Sequence, residues 1–301
     1  MYIKNNAIIF DARRLIGEVS MSIKKYILSF LMMAAFALFL YGEEPKLLVI
    51  GVTPWGDRIE MAASYKPFID YISEELGIPV SLYIAKSYNE LGAELADGSV
   101  HIGIFSPTAY VQAQDTYSEL KYLATSVKNG APYYYGYIIT RADSKIKSIK
   151  KLKGKTFCFT DKSSTSGYKY PMLLFKKKKI NPEKFFKEII FVKSHDDSLE
   201  AVRKGIVDAG AVSGAFENYI HKDELRALDK TPPIPLDAVV VNKSLDGNLI
   251  KKIKKLFLSV NPNSKNANNE LILSKLYFQG FVEKSNSFYN VVRDMLKEFN
   301  E

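Results

Sequence analysis

From Lys46 onward the chain alternates short β-branched runs with segments whose apolar positions recur at helical spacing, the pattern of βαβ units. Leu47 to Val52 reads as a first buried strand. Tyr65 to Leu76 follows as a helix with Phe68, Ile69, Ile72 and Leu76 on one face, and Gly77 closes it. Val80 to Ile84 is a second strand, Tyr88 to Ala96 a helix ended by Asp97-Gly98, and His101 to Phe105 a third strand. That strand runs into Ser106-Pro107-Thr108-Ala109-Tyr110, where another helix starts. Tyr133 to Thr140 is read as one strand, with no ring assigned to a ligand. Ser148 to Gly154 follows as a short helix and turn.

Lys155 to Phe159 opens a second series: strands at Ile189 to Val192 and Asp208 to Val212, and helices at Tyr170 to Lys179, Asp197 to Lys204 and Phe216 to His221. Thr231-Pro-Pro-Ile-Pro235 breaks the pattern. Ala238 to Asn242 is then a strand, Leu249 to Leu258 a basic amphipathic helix, and Ser264 to Glu301 helical cover for the first series. The expected fold is α/β with two lobes, each a mainly parallel sheet flanked by helices. Residues 43–141 form the first part of lobe one, 142–237 lobe two, and 238–301 the return to lobe one with C-terminal helices. Two crossings between lobes make a hinge.

The N-terminal pattern differs. Lys24 and Lys25 precede an uncharged apolar run from Tyr26 to Tyr41, too short for a comfortable membrane span and followed by Gly42-Glu43-Glu44-Pro45, the layout of a signal peptide over residues 21–42. An uncleaved anchor is the alternative. Residues 1–20 read as an upstream extension, with translation expected to begin at Met21. The protein is expected to be exported, to the periplasm or the outer face of the cytoplasmic membrane.

Composition is that of a globular chain, 47% hydrophobic and 25% charged, with a net charge of +9. Removing residues 1–42 takes away Lys4, Arg13, Arg14, Lys24 and Lys25 against Asp11 and Glu18 and leaves +6. The basic stretches at 145–155 and 176–179 have no nucleic-acid motif beside them, so a solvated lysine surface, a monomer and no nucleic-acid partner are expected. The single cysteine, Cys158, has no partner for an intramolecular disulfide and reads as a small buried residue.

The stretch that carries chemistry is Ser163-Ser164-Thr165-Ser166-Gly167, after one strand and before a helix. Helix-terminal N–H groups and hydroxyls form a neutral cradle for a tetrahedral oxyanion there, although one hydroxyl alone is also a plain helix cap. His195 falls at the start of another helix, where its imidazole can donate to an oxyanion or serve structure only. The loops holding Glu217 and Asp237 bring carboxylates to the same region, and Trp55, the sole tryptophan, is either a wall of the cleft or a packing residue.

Taken in order, S-T-S-G-Y, S-H-D-x-S-L-E-A-V, V-D-A-G-A-V and P-I-P-x-D before a valine strand resemble the phosphate/phosphite/phosphonate-binding family of ABC importers, over about Val49 to Leu258. The resemblance implies a type II periplasmic-binding-protein clamshell. It also implies a ligand held by Ser164, Thr165, Ser166, His195 and Tyr110, with Asp237 meeting a ligand proton or amine and Glu217 a candidate for an ammonium group. A small phosphorus oxyanion and an ABC-transporter permease are the implied partners. Since a bare carboxylate and a bare anion at about 4 Å repel by roughly 4 kcal/mol at an effective dielectric of 20, sulfate and sulfonates are expected to be rejected.

Two other functions fit the same site: a sensory periplasmic receptor and a secreted phosphorus-ester hydrolase. The three histidines, His101, His195 and His221, include no H-x-x-x-H pair, and the chain has neither a G-x-S-x-G elbow nor a G-x-x-x-x-G-K-[ST] loop. No catalytic residue, metal or cofactor is therefore expected.

Overall fold

A computed structural model describes residues 45–214 and 224–300. The expectations for the upstream extension, the signal peptide, the helix at Phe216 to His221 and Glu217 lie outside the described residues.

The alternating pattern becomes strands β1 (Leu48–Val52), β2 (Val80–Ile84), β3 (Ile102–Phe105) and β4 (Leu120–Val127), with helices α1 (Arg58–Leu76), α2 (Glu90–Asp97) and α3 (Pro107–Thr116) between them. Asp57 caps α1 by accepting from the N–H groups of Ile59 and Glu60, and Gly77 ends it in the left-handed conformation, φ 67°. Next come β5 (Tyr133–Tyr134), β6 (Gly136–Arg141), β7 (Thr156–Phe159), a π turn over Thr165–Lys169 and α4 (Tyr170–Lys177). After them are α5 (Pro182–Phe185), β8 (Glu188–Phe191), α6 (His195–Arg203), β9 (Ala209–Ser213), β10 (Leu225–Lys230) and β11 (Ile234–Pro235). The chain closes with β12 (Ala238–Asn242), α7 (Gly247–Ser259), β13 (Gly280–Val282) and α8 (Asn290–Asn300).

These strands build two larger sheets, ordered β13-β4-β12-β3-β1-β2 and β10-β6-β9-β7-β8. Both are mixed. Parallel pairing is confined to β1–β2, β1–β3, β7–β8 and β7–β9, whereas β12 runs antiparallel to β3 and β4, and β6 antiparallel to β9 and β10. The expectation of mainly parallel sheets is corrected to this extent. β6 and β12 are strands by which the chain arrives from the other sheet, so they enter against the local βαβ direction.

The pleat sends Leu48, Ile50 and Val52, with Val239 and Val241, to a core under α1 and α7. Val240 and Ala238 face the other side, against residues of α2, α3 and α8. In the second sheet, Phe157 and Phe159 pack with Phe175 and Phe186, while Cys158 turns to Leu199 and Val202 on the opposite face.

Two sequence boundaries move. The run Tyr133 to Thr140 is not one strand: it breaks at Tyr135, whose carbonyl accepts the N–H of Gly214, and β6 belongs to the second sheet. The first crossing thus precedes residue 136 and not residue 142. Tyr134 pairs with Ile234 and Tyr133 with Pro235, so the two crossing segments are hydrogen-bonded to each other as a two-stranded ribbon. The region from Ser264 is not all helical either. Asn266 accepts through its side chain from the N–H groups of Asn268 and Glu270, and such local bonds compete with helix formation. α8 then reaches both layers, since Arg293 bonds Gln114 of α3 while Lys176 of α4 donates to the carbonyl of Glu298. None of the described helices is long and apolar enough to cross a membrane.

Candidate functional site

A small cavity of about 30 Å³ lies between the two sheets, room for something on the scale of a few waters. The second sheet contributes Ser164, Thr165, Ser166, His195 and Ser213. The first contributes Thr53, Trp55, Tyr88, Ser106 and Asp237, with Tyr134 from the ribbon and Tyr277 from the turn before β13.

Three helix beginnings meet here: Ser106 precedes α3, Ser164 the π turn leading into α4, and His195 opens α6. Each follows a strand end, where unpaired N–H groups and the positive end of the helix dipole face outward. Ser164 accepts from the N–H of Gly167 at 3.1 Å, and the N–H groups of Thr165 and Ser166 have no backbone acceptor among the described residues. Gly167 is required by close approach, because a Cβ there would lie 1.8 Å from the hydroxyl oxygen of Thr160.

The hydroxyls differ in what they have left to give. Thr165 accepts from the N–H of Thr108 at 3.0 Å and donates its hydrogen to the Thr108 hydroxyl at 2.9 Å, so its side chain ties the two layers together. The hydroxyl of Ser166 lies near that of Tyr134, and the hydroxyl of Ser164 near that of Tyr88. Ser106 makes no cap bond, and its buried hydroxyl oxygen has no hydrogen-bond partner among the described residues. It is a polar atom with capacity to spare.

His195 is buried, and its Nδ1 accepts the N–H of Ser213 at 3.1 Å, which places the hydrogen of the neutral ring on Nε2. Nε2 lies 3.5 Å from the hydroxyl oxygen of Ser164. Burial lowers the imidazole's pKa to about 4, so at neutral pH it is an uncharged donor. The backbone N–H of His195 reaches across to the carbonyl of Trp55 at 3.2 Å.

Asp237 faces these donors. It is buried, and desolvation pushes its carboxyl up to about 8, so below that pH it carries its own proton. No lysine or arginine is among the described residues that line the cavity. The described lining is a set of neutral donors, the Asp237 carboxyl, able to donate or accept, and a wall of aromatic rings, in which Trp55 packs edge-on against Tyr277 with centroids 5.7 Å apart.

Of the residues singled out from sequence, Ser164, Thr165, Ser166, His195, Asp237 and Trp55 line one cavity. Tyr110 does not. Its hydroxyl donates to Asn286 at 2.7 Å and its ring packs on Tyr122 and Tyr289, because its place on α3 turns it toward β4 and the C-terminal segment. Thr53, Tyr88, Ser106, Tyr134, Ser213 and Tyr277 were missed. Ser106 and Thr53 were accessible by the reasoning used for Ser164, a hydroxyl directly after a strand, whereas Tyr88 and Tyr277 carry no such signal. Among the described residues no acidic, histidine or cysteine cluster is arranged to hold a metal ion.

A sequence model of the family described as "ABC transporter, phosphonate, periplasmic substrate-binding protein" matches residues 50–289. The phosphate-import protein PhnD of Mycolicibacterium smegmatis is 28% identical over 232 residues, 71% of each chain. The phosphonates-binding periplasmic protein of Escherichia coli is 24% identical over 228 residues, 72% of this chain and 67% of its own. In three dimensions the fold is similar to that of PhnD1 from Prochlorococcus marinus, solved in complex with methylphosphonate. There the TM-score is 0.76 at 21% identity, covering 85% of this chain and 99% of that one.

Proposed function

The chain belongs to the family of periplasmic phosphonate substrate-binding proteins of ABC transporters, and we propose that it captures a small phosphorus oxyanion between its two lobes and delivers it to a membrane permease. The ligand is a phosphonate, phosphite or phosphate. The observation that carries this reading is the cavity itself, in which the helix-terminal N–H groups and the Nε2–H of His195 from the second sheet face the spare hydroxyl of Ser106 and the carboxyl of Asp237 from the first. Neutral donors in a low-dielectric site bind an oxyanion without a paired cation, as phosphate sites at helix N-termini do.

Asp237 defines the protonation state of the complex. Raised to about 8, it is a carboxylic acid at neutral pH and donates to a phosphorus oxygen, or it accepts from a P–OH group if the ligand brings the proton. One proton shared between them removes the like-charge repulsion of roughly 4 kcal/mol expected for two bare anions at about 4 Å. This revises the expected rejection of sulfate: below about pH 8 Asp237 supplies the missing proton itself, and discrimination on charge sets in only above it.

The small cavity favours a ligand with little or no organic substituent, and its aromatic wall suits an apolar P–H or P–CH₃ face. Ligand first meets the second-lobe cradle. Closure about the β5–β11 ribbon then brings Asp237, Ser106 and Trp55 against it, and the closed form docks on the permease from the periplasmic side. Relatives in the family are substrate-binding transport proteins, which supports capture with no reaction catalysed.

The test is thermal unfolding with methylphosphonate, phosphite, phosphate, 2-aminoethylphosphonate, sulfate and taurine. A ligand at 1,000 times its dissociation constant stabilises by about 4 kcal/mol, a shift of roughly 8–16 °C for a protein of this size. A shift with a small phosphorus compound, lost in Asp237→Ala, is expected. No shift with any of the phosphorus compounds would overturn the reading.

A further inference from the structure

Between residues 145 and 187 the chain carries fourteen lysines, no arginine and only two acidic residues, Asp161 and Glu183. Most of these lysines gather at one place. The segments 145–155 and 176–187 meet through the N–H of Gly154 donating to the carbonyl of Phe185 at 2.8 Å and that of Lys187 to the carbonyl of Lys155 at 2.9 Å. The lysines of 145–155 and 176–179 are all exposed.

Salt bridges account for few of them: Lys178 with Asp229 at 2.8 Å, Lys155 with Asp208 at 3.9 Å and Lys177 with Glu298 at 4.0 Å. The remainder, including Lys150, Lys153 and Lys179, have no carboxylate within ion-pair range among the described residues. A charge near the end of α4 complements its dipole, but that explains at most the lysines of its last turn.

This surface has a fixed position relative to the candidate site. β7 starts on it, at Thr156, and runs toward Ser164; α4 begins beside the cavity and ends on it, at Lys177. The basic surface is therefore the pole of the second sheet remote from the cleft. It is not purely polar. A groove of about 660 Å³ has Ile149, Ile180, Phe185 and Leu228 in its walls, with Lys150 and Lys153 at its rim.

We propose that this pole docks on an anionic phospholipid surface. Lysine attracts as a flexible point charge and lacks the planar fork with which arginine reads individual phosphates or stacks on bases. A lysine-rich face over an apolar groove, whose neighbouring Arg226 is spent on the carbonyls of Ala142 and Ile146, therefore fits a plane of phosphate headgroups above hydrocarbon better than it fits a nucleic acid. An exported protein, as read above, works beside such a plane. Held by this pole, it keeps the cleft at the other end of the lobe open to ligand and permease.

The experiment is partition of the full chain onto vesicles of equal phosphatidylglycerol and phosphatidylcholine, against pure phosphatidylcholine, at low and high salt. Comparing lipids and variants separates the pole from the apolar segment 26–41, whose insertion does not depend on the pole's charge. Wild type is expected to prefer the anionic vesicles and to lose that preference in high salt. At about fivefold per lysine near such a surface, Lys150→Glu/Lys153→Glu/Lys179→Glu should weaken binding by about a hundredfold or more. Thermal stabilisation by the phosphorus ligand, which reports on the cleft and on folding, should be unchanged in this variant.

A control with the same charge change on α7, Lys251→Glu/Lys252→Glu/Lys255→Glu, should retain most of the binding. Equal partition onto neutral and anionic vesicles overturns the proposal, and so does equal weakening by the two triple variants. Tighter binding of a double-stranded oligonucleotide through the same three lysines would overturn it in favour of nucleic acid. Failure of the phosphorus ligands alone would leave this result standing, so the two readings fall separately.

Discussion

The backbone N–H of Ser213 donates to Nδ1 of His195 at 3.1 Å. A bond from the end of β9 thereby decides which nitrogen of a ring at the start of α6 carries the hydrogen, and Nε2 is left as the donor beside Ser164.

His195→Ala should weaken phosphorus-ligand binding by about ten- to a hundredfold, the range for losing one hydrogen bond to a charged group, and His195→Gln should recover part of it. Calorimetric titration reads the affinity. NMR of the imidazole should show it neutral down to about pH 4. Titration near 6.5 would rule out the buried, neutral donor.

Asp237 and His195 give stability a distinctive pH profile. Asp237 is raised from 3.8 to about 8, so between those values the native state holds a proton that the unfolded state has lost, and stability falls as pH rises, by about 1.4 kcal/mol per unit. His195 is lowered from 6.5 to about 4, so in that window the unfolded state holds the extra proton and stability rises with pH. The two oppose each other below 6.5. From 6.5 to about 8 Asp237 acts without that opposition, and denaturant titration should show a loss of about 2 kcal/mol that disappears in Asp237→Asn. Parallel profiles for the two proteins would contradict the assignment.

Ser106→Ala separates binding from stability. The hydroxyl has no hydrogen-bond partner among the described residues, so its removal should change the melting temperature of the ligand-free protein little or raise it slightly, yet reduce affinity by about tenfold. A variant that melts lower and binds unchanged would show that Ser106 serves the fold instead.

Gly167→Ala should damage both, since the added methyl collides with Thr160 inside the π turn that carries Ser164, Thr165 and Ser166. A cost of about 1–3 kcal/mol is expected from such overpacking, together with loss of ligand stabilisation. The double variant Thr160→Ser/Gly167→Ala, which removes the methyl but not the hydroxyl of Thr160, should recover little. Recovery close to wild type would place the clash on the threonine methyl.

Much of this was legible in the chain because its signals are local. Strand ends, helix starts and hydroxyls between them identify the cradle at Ser164 to Ser166, and alternation along β1 and β12 identifies the cores. Tyr110, which the resemblance implies as a ligand contact, lies outside the cavity lining, because the place where a helix begins does not say which of its faces is buried. Tyr277 comes from a run of turns between α7 and β13, where no period exists to read. Nor does sequence reveal that Asp237 is an acid at neutral pH, since its desolvation depends on residues brought together from distant segments, such as Thr53, Tyr88 and Tyr134. The mixed sheets and the early crossing depend on strand direction and on a break at Tyr135, and neither leaves a compositional mark.

The bond between Thr108 and Thr165 has a kinetic meaning. A side chain of the candidate cradle is also the fastener between layers, so its release and the parting of the layers are one event. On the proposed reading the fastener must open first. Ligands of different affinity should then share a common ceiling on their dissociation rates, set by the lifetime of the Thr108–Thr165 pair, with affinity differences above that ceiling expressed in how often the closed state re-forms.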